Sequence, residues 1–317
     1  MNYIEIAKQV LEKHSIKSKS IVLIGQNYTS VYKVTDDNKN MIYCLRLHIS
    51  KDNMLNDNNE KIKINSELEW ISAIAADTDI IVPTPYKNIY GEYVTEINGV
   101  NCSLLKWIDG ESRFNEDTCK QLIEVMAKLH KHASNWVIPE GFVRPSYDFK
   151  DVPTIFSHMN NIDIGTNSKD SFMILKEAYQ KAINIIVSIE KNNKNWGLIH
   201  RDLIPQNILF HNDKICPIDF GACGFGFYLF DICYTFVCIP AWYREFFLNE
   251  YIKYFSLPDN YIQLAEALYI TAHTPQDENG LRDALQWIPD YINNLASREA
   301  SLFLNDKSFL FETAFFM

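Results

Sequence analysis

The first hundred residues change from a helical to a strand-like hydrophobic pattern. Residues 3–13 place apolar side chains at helical spacing, which predicts an amphipathic helix. Short apolar runs separated by turn-forming residues then predict an antiparallel meander, with strands over 20–24, 30–35 and 41–48. A second helix is predicted over 61–76, and it is followed by predicted strands over 86–89, 91–97 and 100–107.

Beyond Asp109-Gly110 the pattern becomes mainly helical. Residues 116–132 and 171–191 carry apolar side chains in step with a helix, and the chain after residue 258 has the same character. Because 317 residues exceed the usual size of a single hydrophobic core, we expect two lobes. The predicted fold class is α+β, with an antiparallel-sheet N-terminal lobe over 1–105 and a mainly helical C-terminal lobe over 106–317.

The candidate catalytic and metal-binding residues flank one predicted hairpin. Short apolar runs over 207–210 and 215–218 flank a polar turn, which predicts a strand–turn–strand hairpin. Asp202 and Asn207 precede its first strand, and Asp219 follows its second. We therefore expect three oxygen-bearing side chains to converge at the open end of this hairpin.

Phosphoryl transfer requires such a set of side chains. A carboxylate orients the attacking hydroxyl and accepts its proton, while two further oxygen ligands hold magnesium against the nucleotide phosphates. His200-Arg201-Asp202 with Asn207, followed by Asp219-Phe220-Gly221, matches the kinase pattern H-x-D-x-x-x-x-N and D-F-G without a gap. The alternative is that the two aspartates only cap turns.

This segment resembles the protein-kinase-like superfamily, and within it the aminoglycoside phosphotransferase and choline kinase-like branch. Further segments resemble features of that branch in the expected order, over about residues 20–235. They are 43–48, 66–70, 82–85, 129–130 and 223–231. The resemblance implies a bilobal protein-kinase-like fold. It also implies transfer of the γ-phosphoryl group of ATP, with Mg²⁺, to a hydroxyl of a small molecule.

The resemblance also assigns roles to single residues. Asp202 corresponds to the catalytic base, and Asn207 and Asp219 correspond to the magnesium ligands. Arg46 occupies the third strand, where most kinases carry a lysine against the phosphates; it keeps the charge but has a different reach. Glu67 is its preferred helical partner and Glu69 the alternative, because two residues apart on a helix they point in different directions.

The expected adenine-binding linker follows the last strand of the N-terminal lobe. Lys106, Trp107 and Ile108 would offer backbone groups to the base, although Trp107 could equally be packing between lobes. The loop over 25–30 has a single glycine, which is closer to the aminoglycoside branch than to protein kinases.

Asp231 is expected to brace the catalytic loop by hydrogen bonds. His130 and His132 face different sides of a helix and do not predict a metal site.

Two other functions are alternatives to a small-molecule kinase. A protein kinase would carry the A-P-E landmark after D-F-G, and this sequence has none there. A non-catalytic nucleotide-binding pseudokinase would have lost the base or a metal ligand, and here only the arginine at position 46 departs from the pattern.

The composition limits the classes of partner that are expected. A formal net charge of −10 argues against a nucleic-acid-binding surface. Seven scattered cysteines predict free thiols and neither a disulfide framework nor a zinc site. The sequence shows no signal peptide and no membrane span, so a soluble cytoplasmic protein is expected. ATP or GTP preference and oligomeric state stay open.

The expected acceptor is a hydroxyl-bearing small molecule. Aminoglycosides, choline-like amines, amino-acid alcohols and sugars all remain candidates. Several acidic residues could contact a cationic acceptor: Asp148, Asp151, Asp277, Glu278 and Asp283.

Overall fold

The computed structural model describes residues 2–26, 29–38, 41–49, 58–113, 115–149, 152–161, 169–274 and 290–311. They form two compact units. The first contains the described residues of 1–118, 136–144 and 206–221, and the second contains those of 119–135, 145–205 and 222–317.

Helices and strands follow in this order. Up to residue 113 they are α1 (Tyr3–Lys13), β1 (Ser18–Gln26), β2 (Thr29–Asp36), β3 (Ile42–His48), α2 (Asn58–Asp77), β4 (Pro85–Tyr86), β5 (Val94–Ile97), β6 (Val100–Lys106) and β7 (Glu111–Ser112). The next are α3 (Glu116–Asn135), α4 (Val152–Asn160), α5 (Lys169–Ser188), β8 (Trp196–Ile199), β9 (Ile208–His211), β10 (Lys214–Pro217), β11 (Gly224–Phe227), α6 (Tyr228–Thr235), α7 (Ala241–Tyr251) and α8 (Tyr261–His273). Short helices Tyr291–Leu295 and Ser301–Leu304 flank the π-helical turn Ala296–Ala300.

The first unit is built on an antiparallel sheet with the strand order β1-β2-β3-β6-β4, in which β5 also pairs with β6. Side chains alternate across β3, as the strand geometry requires. Leu45 and Leu47 are buried in a core that α1 completes with Ile6 and Val10. The intervening position, Arg46, therefore points to the opposite face of the sheet.

A second, three-stranded sheet in this unit has the order β10-β9-β7. Its β9–β10 pair is the predicted hairpin, in which Ile208 pairs with Pro217 and His211 with Lys214.

The second unit is mainly helical. Strands β8 and β11 pair with each other, and β11 continues directly into α6. Helix α8 packs against both α5 and α6. Phe227, at the end of β11, and Tyr228 and Phe230 on α6 belong to the core, since each is about 1% exposed.

The predicted fold class is confirmed: an antiparallel sheet occupies the N-terminal part and helices dominate the C-terminal part. The strand predicted over 86–89 ends at Tyr86, and the strand predicted over 91–97 begins at Val94. The cause is a turn organised by Asn88, whose side-chain oxygen accepts hydrogen bonds from the backbone N–H groups of Tyr90 and Glu92. The lobe boundary at 105/106 stays a prediction.

All seven cysteines are unpaired, which confirms the expected free thiols. Within the described ranges, no helix combines the length and the apolar character that crossing a bilayer requires.

Candidate active site

Arg46 forms a buried ion pair beneath the sheet of the first unit. Its Nη1 lies 2.8 Å from Oε1 of Glu67 on α2, and only 3% of the Glu67 side chain is exposed. Strand β6 contributes Ser103, which faces Arg46 across the β3–β6 ladder and accepts a hydrogen bond from its Nε at 3.2 Å. Glu69 instead accepts a hydrogen bond from Asn65 at 2.9 Å. Glu67 is therefore the partner of Arg46.

Electrostatics keep Arg46 charged. Burial acts to lower the pKa of Arg46, but Glu67, Cys44 and Asp219 together outweigh burial and raise it. Burial, reinforced by Arg46, lowers the pKa of neighbouring His48 to about 3. Burial raises the pKa of Cys44 to about 11. At neutral pH the arginine thus keeps its charge, while His48 and Cys44 remain neutral.

One donor of Arg46 remains unused. Nη2 is buried and has no hydrogen-bond partner among the residues that the structure describes. A buried guanidinium N–H without an acceptor is costly. A phosphate oxygen would supply the missing acceptor, and arginine matches phosphate geometry well. The residue therefore fits the phosphate-binding role that the sequence assigned to it.

Two backbone N–H groups of the predicted adenine-binding linker form hydrogen bonds within the first unit. The backbone N–H of Lys106 donates to Thr84 O at 2.8 Å, and that of Trp107 donates to Ile42 O at 3.2 Å. Lys33 Nζ lies 4.7 Å from the centre of the Trp107 ring. Ile108 is 7% exposed. The nucleotide-binding role of these residues stays a prediction, and it rests on backbone groups other than these two N–H donors.

Asn207 and Asp219 lie at the open end of the β9–β10 hairpin. The N–H of Ile218 donates to Asn207 O at 2.9 Å, which extends the ladder by one bond and fixes the two flanking residues. Asp219 has a φ of 59°, in the left-handed region that few residues other than glycine adopt. Backbone strain of this kind persists only where the surroundings enforce it.

The side-chain oxygens of Asn207 and Asp219 are suitable ligands for a magnesium ion. Mg²⁺ prefers oxygen ligands, and in nucleotide sites one or two side chains suffice because phosphates and waters complete the coordination. A carboxylate and an amide meet that requirement. No group of three or more His, Cys, Asp or Glu side chains within the described ranges forms a metal cluster that the protein alone would complete.

In the second unit, Asp231 holds the backbone of the loop that carries Asp202. Its fully buried carboxylate accepts hydrogen bonds from the N–H groups of His200 at 2.8 Å and Arg201 at 2.5 Å. The N–H of Asp202 in turn lies 3.3 Å from His200 Nδ1. The expected bracing role of Asp231 is confirmed.

The sequence analysis did not identify His130 as the residue that contacts the Asp231 carboxylate. His130 on α3 places Nε2 3.1 Å from Asp231 Oδ2, and its Nδ1 lies 2.7 Å from the hydroxyl of Tyr251. Burial by itself would raise the pKa of Asp231, but His130 and His200 together outweigh burial and lower it, so that the carboxylate stays ionised. The partner of His130, Asp231, lies 101 residues away in the sequence, and no local signal reveals the contact.

Arg201 is held by aromatic rings. Its guanidinium carbon lies 4.3 Å from the ring centres of both Phe230 and Tyr234 on α6, and Arg201 has a φ of 72°. Leu203 is fixed through its carbonyl, which accepts a hydrogen bond from Thr235 at 2.9 Å. The residues on either side of Asp202 are therefore anchored to one helix.

Of the acidic candidates for a cationic acceptor, Asp148 forms an ion pair with Lys191 at 3.5 Å. Its charge is thus partly neutralised by the protein itself. The other four candidates, Asp151, Asp277, Glu278 and Asp283, lie outside the described residues. Two residues of the 25–30 loop also lie outside them, while Gly25 is part of β1.

Comparisons with known proteins identify the family and the fold. Residues 20–267 match the model of the phosphotransferase enzyme family. A microcompartment-associated aminopropanol kinase has 22% sequence identity to the chain and a TM-score of 0.72, over 97% of this chain and 99% of that one. An amicoumacin kinase in complex with AMP-PNP and Ca²⁺ has 16% identity and a TM-score of 0.72, over 97% and 95%.

A third structure, the GDP complex of an aminoglycoside 2′-phosphotransferase, has 13% identity and a TM-score of 0.67, over 96% of this chain and 100% of that one. No curated protein matches the chain in sequence. At these identities the structural likeness shows the fold, and the family match carries the assignment.

Proposed function

This chain belongs to the phosphotransferase enzyme family, and we propose that it is an ATP- and Mg²⁺-dependent kinase that phosphorylates a hydroxyl of a small molecule. The observation that supports this most directly is the hydrogen bond from Ile218 N–H to Asn207 O. It joins the backbone of Asn207 to the residue before Asp219, so that an amide-bearing and a carboxylate-bearing residue flank the open end of one hairpin, as a magnesium–nucleotide site needs.

The chain's own residues would divide the work as follows. Asp202 would accept the proton of the acceptor hydroxyl while that oxygen bonds to the γ-phosphorus and the bond to the β–γ bridging oxygen breaks, which releases ADP. Arg46 would bind phosphate oxygens through its unpartnered Nη2, with Glu67 fixing its orientation. Asn207 and Asp219 would hold Mg²⁺, which when bound neutralises charge on the phosphates.

We infer that the acceptor is an amine-bearing alcohol. The structural neighbours named for aminopropanol and aminoglycosides concern compounds that carry both amino and hydroxyl groups. The net charge of −10 is compatible with a cationic acceptor. Because one neighbour holds AMP-PNP and another GDP, the choice of ATP over GTP needs its own measurement.

An acceptor screen tests the proposal. Nucleotide consumption would be followed with Mg·ATP and with Mg·GTP against amino alcohols, choline, ethanolamine, homoserine, aminoglycosides and simple sugars. Asp202→Asn would run in parallel, with Asp259→Asn as the matched control, because Asp259 is exposed in the same unit. The expected result is consumption that depends on one acceptor class, survives in Asp259→Asn and falls by orders of magnitude in Asp202→Asn.

Other outcomes would change the assignment. Nucleotide binding without turnover on any acceptor, in a wild-type protein that is correctly folded, would favour a non-catalytic nucleotide-binding protein. Full turnover in Asp202→Asn would remove Asp202 from the role of base. Phosphorylation of proteins in place of the small molecules would favour the protein-kinase alternative.

A further inference from the structure

Arg144 joins two elements of the candidate nucleotide site. It ends the segment over 136–144, which follows α3 but belongs to the first unit. Its Nη1 donates to Lys63 O on α2 at 3.1 Å, and its Nη2 donates to Gly221 O at 2.5 Å. The planar guanidinium presents several donors in a fixed fork, so one side chain can hold two carbonyls at a set separation.

Both carbonyls lie one hydrogen bond away from a candidate site residue. In an α-helix the carbonyl of residue i pairs with the N–H of residue i+4, so Lys63 O lies on the turn that supports Glu67. On the other side, the N–H of Gly221 donates to Asp219 Oδ1 at 3.4 Å. Gly221 is therefore held through its N–H by Asp219 and through its carbonyl by Arg144.

Two neighbouring contacts reinforce this connection. The N–H of Val143 donates to the hydroxyl of Ser66 on α2 at 2.9 Å. Phe220, between Asp219 and Gly221, packs edge-on against Trp70 on α2, with ring centres 5.6 Å apart, and both side chains are fully buried. The apolar contact ties helix α2 directly to the 219–221 turn. The polar contact ties α2 to the segment that carries Arg144.

We propose that Arg144 is a positioning residue for the nucleotide site, which clamps the 219–221 turn to α2 and so presets Asp219 and Glu67 before nucleotide binds. The role rests on the proposed function. Asp219 Oδ1 is engaged by Gly221, so the clamp orients the carboxylate and leaves Oδ2 for the metal. Because Arg144 touches no reacting group, its loss acts on Mg·ATP binding and leaves the acceptor untouched.

The test compares Arg144→Ala and Arg144→Lys with the matched control Arg113→Ala. Arg113 belongs to the same unit and lies over the ring of Phe210, 4.9 Å from its centre. We expect Arg144→Ala to raise the Kd and KM of Mg·ATP by ~10-fold, as loss of a charged hydrogen-bond donor would, with the acceptor KM unchanged. Millimolar methylguanidinium should recover part of the loss, and Arg144→Lys should fall between the two because it lacks the fork.

A readout without nucleotide completes the experiment. Amide hydrogen exchange in the peptide that spans 219–221 should accelerate in Arg144→Ala and stay at the wild-type rate in Arg113→Ala. Unchanged exchange and unchanged Mg·ATP affinity in folded Arg144→Ala would overturn the clamp. So would a fall in apparent kcat with both KM values unchanged and no rescue, since that marks only a smaller folded fraction. Failure of the proposed function is separate, because it would appear in the wild type as an absence of Mg·ATP binding.

Discussion

Arg46 Nη1 and Glu67 Oε1 lie 2.8 Å apart beneath the sheet of the first unit, and little of either side chain reaches solvent. Ser103 and Glu67 hold two of the guanidinium donors. Nη2 has no hydrogen-bond partner in the described part of the chain. A phosphate-binding arginine that is already oriented loses less conformational entropy when the nucleotide arrives.

The first prediction concerns Glu67→Gln. The amide keeps a hydrogen-bond acceptor but leaves the buried arginine without a counter-charge, and breaking a buried pair costs up to about 3–5 kcal/mol. We expect a lower midpoint in urea unfolding and weaker Mg·ATP binding. Glu69→Gln is the control, because that carboxylate accepts a hydrogen bond from Asn65 on the same helix and is partly exposed. Equal effects of the two substitutions would contradict the assignment of Glu67.

The second prediction concerns the metal and uses two aspartates of one hairpin. Asp219 and Asp213 have φ angles of 59° and 61°, so an asparagine at either position meets the same backbone demand. Asp219→Asn should lose most of the magnesium enhancement of nucleotide binding, while Asp213→Asn should keep it, because Asp213 lies at the turn end. Isothermal titration with Mg²⁺ and with EDTA measures this. Magnesium dependence retained in Asp219→Asn would argue against a ligand there.

Local signals were sufficient for much of the fold, and β8 and β11 show where they failed. The sequence analysis predicted neither strand, yet Gly224 and Gly226 lie in β11 and pair with β8. A Cβ at Gly224 would lie 2.5 Å from Pro145 O, and one at Gly226 would lie 2.4 Å from Ile199 Cδ1. Glycine is needed at both positions because neighbouring residues approach the backbone closely, and those neighbours are distant in the sequence.

Some residues of the candidate site could likewise be predicted from local sequence, whereas others depend on tertiary packing. The spacing of Asp202, Asn207 and Asp219 is a local pattern and needed only the sequence. The choice between Glu67 and Glu69 depends on the rotation of α2 about its axis, which tertiary packing sets. Arg144 was not found at all, because its two acceptors lie 81 and 77 residues away and an arginine in a loop carries no signal of its own.

The third prediction concerns Asp231→Asn. The carboxylate accepts from two backbone N–H groups and from His130, and an amide offers one oxygen in place of two. We expect at least a ~10-fold fall in kcat, because the loop around Asp202 loses its anchor, and a loss of stability of about 3–5 kcal/mol. Turnover and thermal unfolding measure the two effects. A kcat equal to that of Asp259→Asn would contradict the bracing role.

The last prediction concerns acid. Burial lowers the pKa of His48 and of His273 to about 3, from a usual 6.5. In the unfolded chain both histidines take up protons below about pH 6.5, whereas in the folded protein they stay neutral until about pH 3. Stability is therefore fully present above pH 6.5 and is lost as pH falls.

Each histidine contributes up to about 1.4 kcal/mol per pH unit in that interval. Urea unfolding between about pH 7 and pH 5 should show this slope, and His48→Gln should reduce it by roughly half if His273 supplies the rest. His158→Gln, at an exposed position, is the control and should leave the slope unchanged. A wild-type slope that His48→Gln does not alter would show that His48 is not the residue that resists protonation.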